Sequence, residues 1–283
     1  MPNAAKLAFV PVSTPARDVL VVFCDDAIAF GQSTRKALGP ARQQITRAVA
    51  AARFKGKSCA VLEILAPQGL KADRVVIVGT GKAAEVKEGD YIRFGGAALS
   101  RVPASAKDVL IMAELPHAAL KPAEVAQLAA GARLRAYSFD RYKTRKKEGE
   151  DKAVAANISV AAADVAAARR AYEAAGAVAD GVLMTRELVN EPPNVLYPEE
   201  FARRATRLRR LRVRVDVLDV RAMTRLKMGA LLGVGQGARH ESRMVIMQWN
   251  GGRRGEAPLA FVGKGVCFDS GGISIKPSAS MEE

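Results

Sequence analysis

Aromatic residues are scarce: only 5% of the 283 residues are Phe, Trp or Tyr, and there is one tryptophan. That scarcity, beside a hydrophobic fraction of 49%, favours helices packed on a buried sheet over a small all-β module. Cysteine is as thin. Cys24, Cys59 and Cys267 are odd in number, far apart and outside any CxxC or Cys/His grouping, which argues against a disulfide framework or a thiolate zinc site. No apolar run reaches the length of a membrane span before a charge or proline interrupts it. The opening residues carry a lone Lys6 and an apolar stretch cut by Pro11 and Pro15, unlike a signal peptide, so a soluble cytoplasmic protein is expected. Acid is also in deficit. With 29 Asp and Glu against 44 Lys and Arg, the net charge is +15 and the pI near 10.

Such a balance favours polyanions at low salt, and nucleic-acid binding is the alternative function it raises. Arginine carries much of it, in Arg203, Arg204, Arg207, Arg209 and Arg210, and in the run from Arg141 to Lys147. Charge runs of this kind are more often solvated faces than binding sites.

A chain of this length exceeds the usual single core, so two domains are the starting expectation. The first half alternates short apolar runs with helical patterns. Strands are expected at Val19–Cys24, Ser58–Leu65, Arg74–Val78, Asp108–Glu114 and Ala155–Ala162, and helices at Thr34–Ala52, Glu88–Arg101 and Pro122–Tyr137. This is βαβ rhythm, and the fold class is α/β. From Ala163 an alanine-rich helical pattern runs until Pro192 and Pro193 end it, and reads as a connector. The expected division is therefore an N-terminal α/β domain at 1–162, a connector helix at 163–191 and a second domain at 192–283.

The second domain opens with NEPPNVLYPEEFARRA, in which Pro198 suits the first turn of a helix and Glu199 and Glu200 suit its positive end. Strands are expected at Val213–Leu218, Arg243–Trp249 and Leu259–Val262. The segment Gly229–Gly237 is glycine-punctuated, as in a tight turn or a close backbone approach. Trp249 is assigned to core or interface, and Cys267 to a small buried position. His117 and His240 stand apart from any Cys or carboxylate pattern and are given loop or surface roles.

Two motifs could carry chemistry. The strand at Arg74–Val78 runs into Gly79-Thr80-Gly81-Lys82-Ala83-Ala84, a G-x-G-x-x-A match where a dinucleotide fingerprint would lie. The acid expected at the end of the following strand is missing, so a nicotinamide cofactor is the weakest reading. The second motif is VGKGVCFDSGGISIKP at 262–277. A carboxylate at the tip of a strand can bridge hard cations, and flanking glycines let metal and substrate approach the backbone. A lysine there can bind metal only through its neutral amine, which nearby cations favour by depressing its pKa. A second lysine, kept charged, could polarise a carbonyl. From spacing alone, a structural ion pair in a turn explains the same residues equally well.

The string VGKGVCFDSGGISIKPS resembles the signature of the leucyl aminopeptidases, dinuclear-metal exopeptidases that include the bacterial aminopeptidases A. Further segments similar to that family are DRVVIVGTGK at 73–82, YSFDRYKTRKKE at 137–148, NEPPNVLYP at 190–198 and LKMGALLGVGQG at 226–237. The resemblance implies a macro-like N-terminal α/β domain, a long connector helix and the beginning of a metallo-exopeptidase domain. It implies that Lys264 ligates one metal through its amine, that Asp269 contacts both, and that Lys276 is the catalytic lysine steadying the carbonyl and gem-diolate. Implied cofactors are two divalent ions, Zn2+, Mn2+ or Mg2+, with bicarbonate as general base. Implied partners are peptides with an N-terminal leucine or other apolar residue, and copies of the chain in a hexamer. The family's remaining acidic ligands and bicarbonate-binding arginine would lie beyond Glu283, so this chain alone is expected to be a truncated, inactive or nearly inactive form.

Overall fold

The computed structural model describes residues 6–144, 157–253, 255–268 and 279. The chain divides into two compact units, Met1–Thr185 and Arg186–Glu283, with the division inside one helix.

The first unit is built on a six-stranded sheet. In chain order it comprises β1 (Lys6–Pro11), β2 (Val19–Cys24), α1 (Gln32–Leu38), α2 (Arg42–Ala51), β3 (Val61–Leu65), β4 (Arg74–Gly79), α3 (Asp90–Ala98), β5 (Asp108–Met112), α4 (Pro122–Arg135) and β6 (Asn157–Ala162). Helix α5 (Val165–Asn190) follows. The spatial order is β1-β6-β5-β2-β4-β3, parallel throughout except for β3, which lies antiparallel on β4 at one edge.

The unbroken apolar run VLVVFC makes β2 the centre of this sheet, because a parallel strand covered on both faces has no solvent side to mark with polar residues. All six residues are buried. Their alternation feeds two cores: Val21 and Phe23 pack with Val76, Val78, Phe94 and Ile111 on one side, and Leu20 and Val22 with Val75 and Ile77 on the other. Each such side chain contributes about 1.5–3 kcal/mol by leaving water. The Cys24 thiol, at the end of this strand, is pushed up to about 12 by burial and then by the charge of Asp25.

Two features differ from the sequence expectation. Thr34–Ala52 is not one helix, because Gly39-Pro40 interrupts it with a 3-10 turn over Gly39–Ala41, Pro40 having no N–H to continue the ladder. Strand β1, which the sequence did not announce, pairs with β6 at the other edge; its half-exposed alternation is a weak signal. The carboxylate of Glu114 satisfies the start of α1, accepting from the N–H groups of Ser33 (3.1 Å) and Thr34 (2.8 Å) and from the Thr34 hydroxyl (2.9 Å).

The second unit holds α6 (Pro198–Thr206), β7 (Arg214–Leu218), α7 (Val220–Arg225), α8 (Gly229–Val234) and β8 (Met244–Gln248), with β7 and β8 forming an antiparallel pair. Pro198 opens α6 and Glu199 and Glu200 occupy its first turn, as the sequence implies. Gly229–Gly237, expected to turn tightly, is instead largely helical; only Gly235 meets a neighbour, Ser242. Leu259–Val262, expected to be a strand, has no regular secondary structure. Apolar composition makes a strand only where a ladder partner receives it, and none does so among the described residues. Trp249 is 70% exposed rather than part of a core. No helix among the described residues is long and apolar enough to cross a membrane.

Candidate metal centre and its surroundings

Lys264 lies in a segment without regular secondary structure after Val262, exposed to solvent. Asp269 and Lys276 fall outside the described residues. Their placement relative to Lys264 therefore rests on the sequence.

The described part of the segment lies along α6. A Cβ on Gly265 would sit 3.1 Å from the Phe201 ring, so the glycine lets the Lys264 backbone run close to that helix. Cys267 is half-buried, and its thiol is raised first by burial and then by the charge of Glu199. A raised thiol holds little thiolate near neutral pH, which speaks against a nucleophilic role.

Glu199 is the hub on the helix side. Its Oε1 accepts the Glu241 N–H at 2.8 Å and lies 4.0 Å from Arg243 Nη2. Its buried Oε2 receives no hydrogen bond, with His240 Nδ1 at 3.5 Å. The His240 ring stacks on Tyr197, centroids 3.9 Å apart at 15°. His240 therefore is not remote from carboxylates, as its sequence neighbours suggest. His117 is not either: its Nε2 is 3.3 Å from Asp25 Oδ2 in the first unit. Spacings of 41 and 92 positions hide both contacts from a reading along the chain.

Beside this hub, Glu200 is held by two arginines. Arg203 Nη2 and Arg204 Nε donate to Oε1 at 2.7 and 2.8 Å, and Arg203 Nε donates to Oε2. Its carboxyl is depressed to about 2, chiefly by the Arg203 hydrogen bond, with burial acting against the shift. Arg204 also donates to the fully buried Glu191 carboxylate at 3.0 Å. Arg209 donates to the Val215 carbonyl. Part of the arginine cluster thus holds the second unit together rather than forming a solvated face.

Whether these residues suit metal is a question of donor kind and number. A carboxylate and a neutral amine suit hard or borderline divalent ions in kind. In number the two candidate donors, Lys264 and Asp269, are fewer than a pair of divalent ions needs.

This α/β architecture, a mostly parallel N-terminal sheet followed by a second unit, is that of leucine aminopeptidases. A mutant tomato leucine aminopeptidase superimposes with a TM-score of 0.71 at 20% identity, over 85% of this chain and 50% of that one. The bottromycin maturation enzyme BotP, in complex with Mn, does so with 0.67 at 25%, over 94% and 51%. The N-terminal domain model of the cytosol aminopeptidase family matches residues 21–146, and the family's catalytic domain model matches residues 183–283. The chain belongs to the cytosol aminopeptidase family. Probable cytosol aminopeptidases of Nitrobacter hamburgensis and of Rhodopseudomonas palustris strain BisB5 are 59% and 60% identical to it over all 283 residues. The chain spans about 57% of the length of these relatives.

Proposed function

We propose that this chain supplies the N-terminal domain and the first part of the catalytic domain of a cytoplasmic, metal-dependent aminopeptidase, which releases leucine and other apolar residues from peptide N-termini. The carrying observation is the catalytic-domain match over residues 183–283, the stretch that contains Lys264, Asp269 and Lys276. Two divalent ions, when bound, would supply an activated water and polarise the scissile carbonyl.

The chain's own residues have separate tasks. Lys264, in its neutral form, and Asp269 would hold the ions. Lys276, kept charged, would donate to the carbonyl oxygen as negative charge develops there, a contribution worth about 2.7–4 kcal/mol when one oxyanion donor is lost. Gly265, flat against Phe201, would keep the backbone carrying Lys264 in place. A pair of ions about 3.5–4 Å apart needs several carboxylates. Asp269 alone does not meet that need, so the 283 residues by themselves would turn over little or nothing, and the active form would be a larger, hexameric protein.

The test is a chimera in which this chain replaces the corresponding 283 residues of the Nitrobacter hamburgensis relative. The chimera should hydrolyse a leucyl anilide with Mn2+ or Zn2+ and lose that rate to a chelator. Lys276→Ala should lower kcat about 100- to 1000-fold, and Asp269→Asn should lower metal occupancy. A folded, metal-loaded chimera without activity, or one indifferent to both substitutions, would overturn the proposal. The chain alone should show no rate above background.

A further inference from the structure

The Gly79-x-Gly81 motif is not used by the peptidase reading, and the structure explains its glycines without a ligand. A Cβ on Gly79 would lie 2.4 Å from the Gly56 carbonyl carbon and from the Lys57 carbonyl oxygen. Gly56, at φ +55°, itself sits against the Asp25 carbonyl, where a Cβ would come within 1.9 Å. The glycines let the 55–58 loop lie directly on the ends of β2 and β4. The Gly81 N–H and Gly56 carbonyl tie it down at 2.9 Å, and the Cys59 N–H and Gly79 carbonyl do so at 2.9 Å.

That packing creates a cleft. Its volume is about 510 Å3, within the usual range for small-molecule sites. It opens where the sheet changes direction, because the connection leaving β2 leads toward β3 and β4, while the connection leaving β4 passes back over β2 to β5. Crevices at the carboxyl ends of parallel strands at such a reversal are where open α/β sheets bind ligands.

Four cations line the cleft, Lys55, Lys57, Lys82 and Arg93, with three carboxylates, Asp26, Glu85 and Asp90. Lys82 is paired with Glu85 at 3.2 Å and Arg93 with Asp90 at 2.9 Å. Lys55 and Lys57, brought to the rim by the packed loop, have no carboxylate partner among the described residues. Two solvated ammonium groups beside a cleft of this size fit an anion carried by a larger body. The chain after Gly81 enters a 3-10 turn at Ala83–Glu85 rather than a long helix, so attraction would come from lysine side chains and not from a helix end.

We propose that the cleft between the 55–58 loop and the segment leaving β4 binds a small phosphate-bearing molecule, with Lys55 and Lys57 holding the phosphate. The site is separate from the peptidase reading and stands if that reading fails.

The test is calorimetric titration of the full chain with ADP, with inorganic phosphate and with adenosine. ADP should bind saturably, phosphate should compete with it more weakly, and adenosine alone should not bind detectably. The Lys55→Glu, Lys57→Glu double variant should weaken ADP binding at least tenfold. The control Arg210→Glu, Arg221→Glu, which reverses two exposed charges in the other unit, should leave it within twofold. Absence of saturable ADP binding, insensitivity to the lysine reversals, or an equal loss in the arginine control would overturn the proposal, the last by showing diffuse attraction to a basic protein.

Discussion

The two units use similar apolar material to different ends. In the first, β2 lies between two parallel neighbours with helices over both faces, and every one of its residues is buried. In the second, among the described residues, β7 and β8 pair only with each other, and Leu259, Phe261 and Val262 are each at least 89% exposed. Two-stranded sheets are marginal without further covering. Hydrophobic strand composition therefore becomes stability only where flanking strands and a covering layer complete it. In the second unit a smaller buried set that includes Leu196, Val215 and Met223 is joined by ion pairs, with Arg204 bridging Glu191 and Glu200.

The sharpest way to break this contrast is to shorten one aromatic side chain in each unit. Phe23→Ala removes a fully buried ring and should cost the first unit about 3–5 kcal/mol. Phe261→Ala, at a site 94% exposed, should change stability by no more than about 0.5 kcal/mol. Urea unfolding followed by far-ultraviolet circular dichroism measures both, and equal shifts would erase the distinction.

A smaller effect is expected from the ion pairs. Arg204→Ala leaves the buried Glu191 carboxylate without one of its hydrogen bonds to a charged donor, at a cost of about 1.5–3 kcal/mol. Trp249, the sole tryptophan, lies in the second unit, so its fluorescence reports that unit's unfolding. Arg210→Ala, with an exposed side chain, serves as the comparison and should be nearly neutral. If both variants unfold alike, the arginine bridge does not support the unit.

The smallest effect is one of pH. A Glu200 carboxyl lowered from about 4.5 to about 2 stabilises the folded form above pH 4.5, and that stabilisation is lost as pH falls toward 2. After allowance for solvent screening it amounts to about 1–2 kcal/mol. The Trp249-detected urea midpoint should fall across this window in the parent chain, and less in Glu200→Gln. Parallel pH profiles would show that Glu200 is not the group responsible.

Much of the first unit is legible along the chain, because β2, β4 and β5 are runs of consecutive apolar residues and their local composition already states their burial. The break at Gly39-Pro40 is written in the sequence too, but apolar residues on either side conceal it. Strand β1 is hard to see, since an edge strand shows only weak alternation. The residues of the candidate metal centre are legible as a string, Lys264 through Lys276, whereas the approach of Phe201 to Gly265 and the stacking of His240 on Tyr197 join residues about 40 or more positions apart.

The sequence by itself determined the α/β class, the family and the kinds of donor near a candidate metal centre, since these follow from local periodicity and from residue types at fixed spacing. Only the tertiary structure decided which apolar runs became strands, which arginines were bound to carboxylates, and that Lys55 and Lys57 stand at a cleft. Pairing, desolvation and charge proximity are properties of distance in space, and distance between remote residues exists only after the chain has closed on itself.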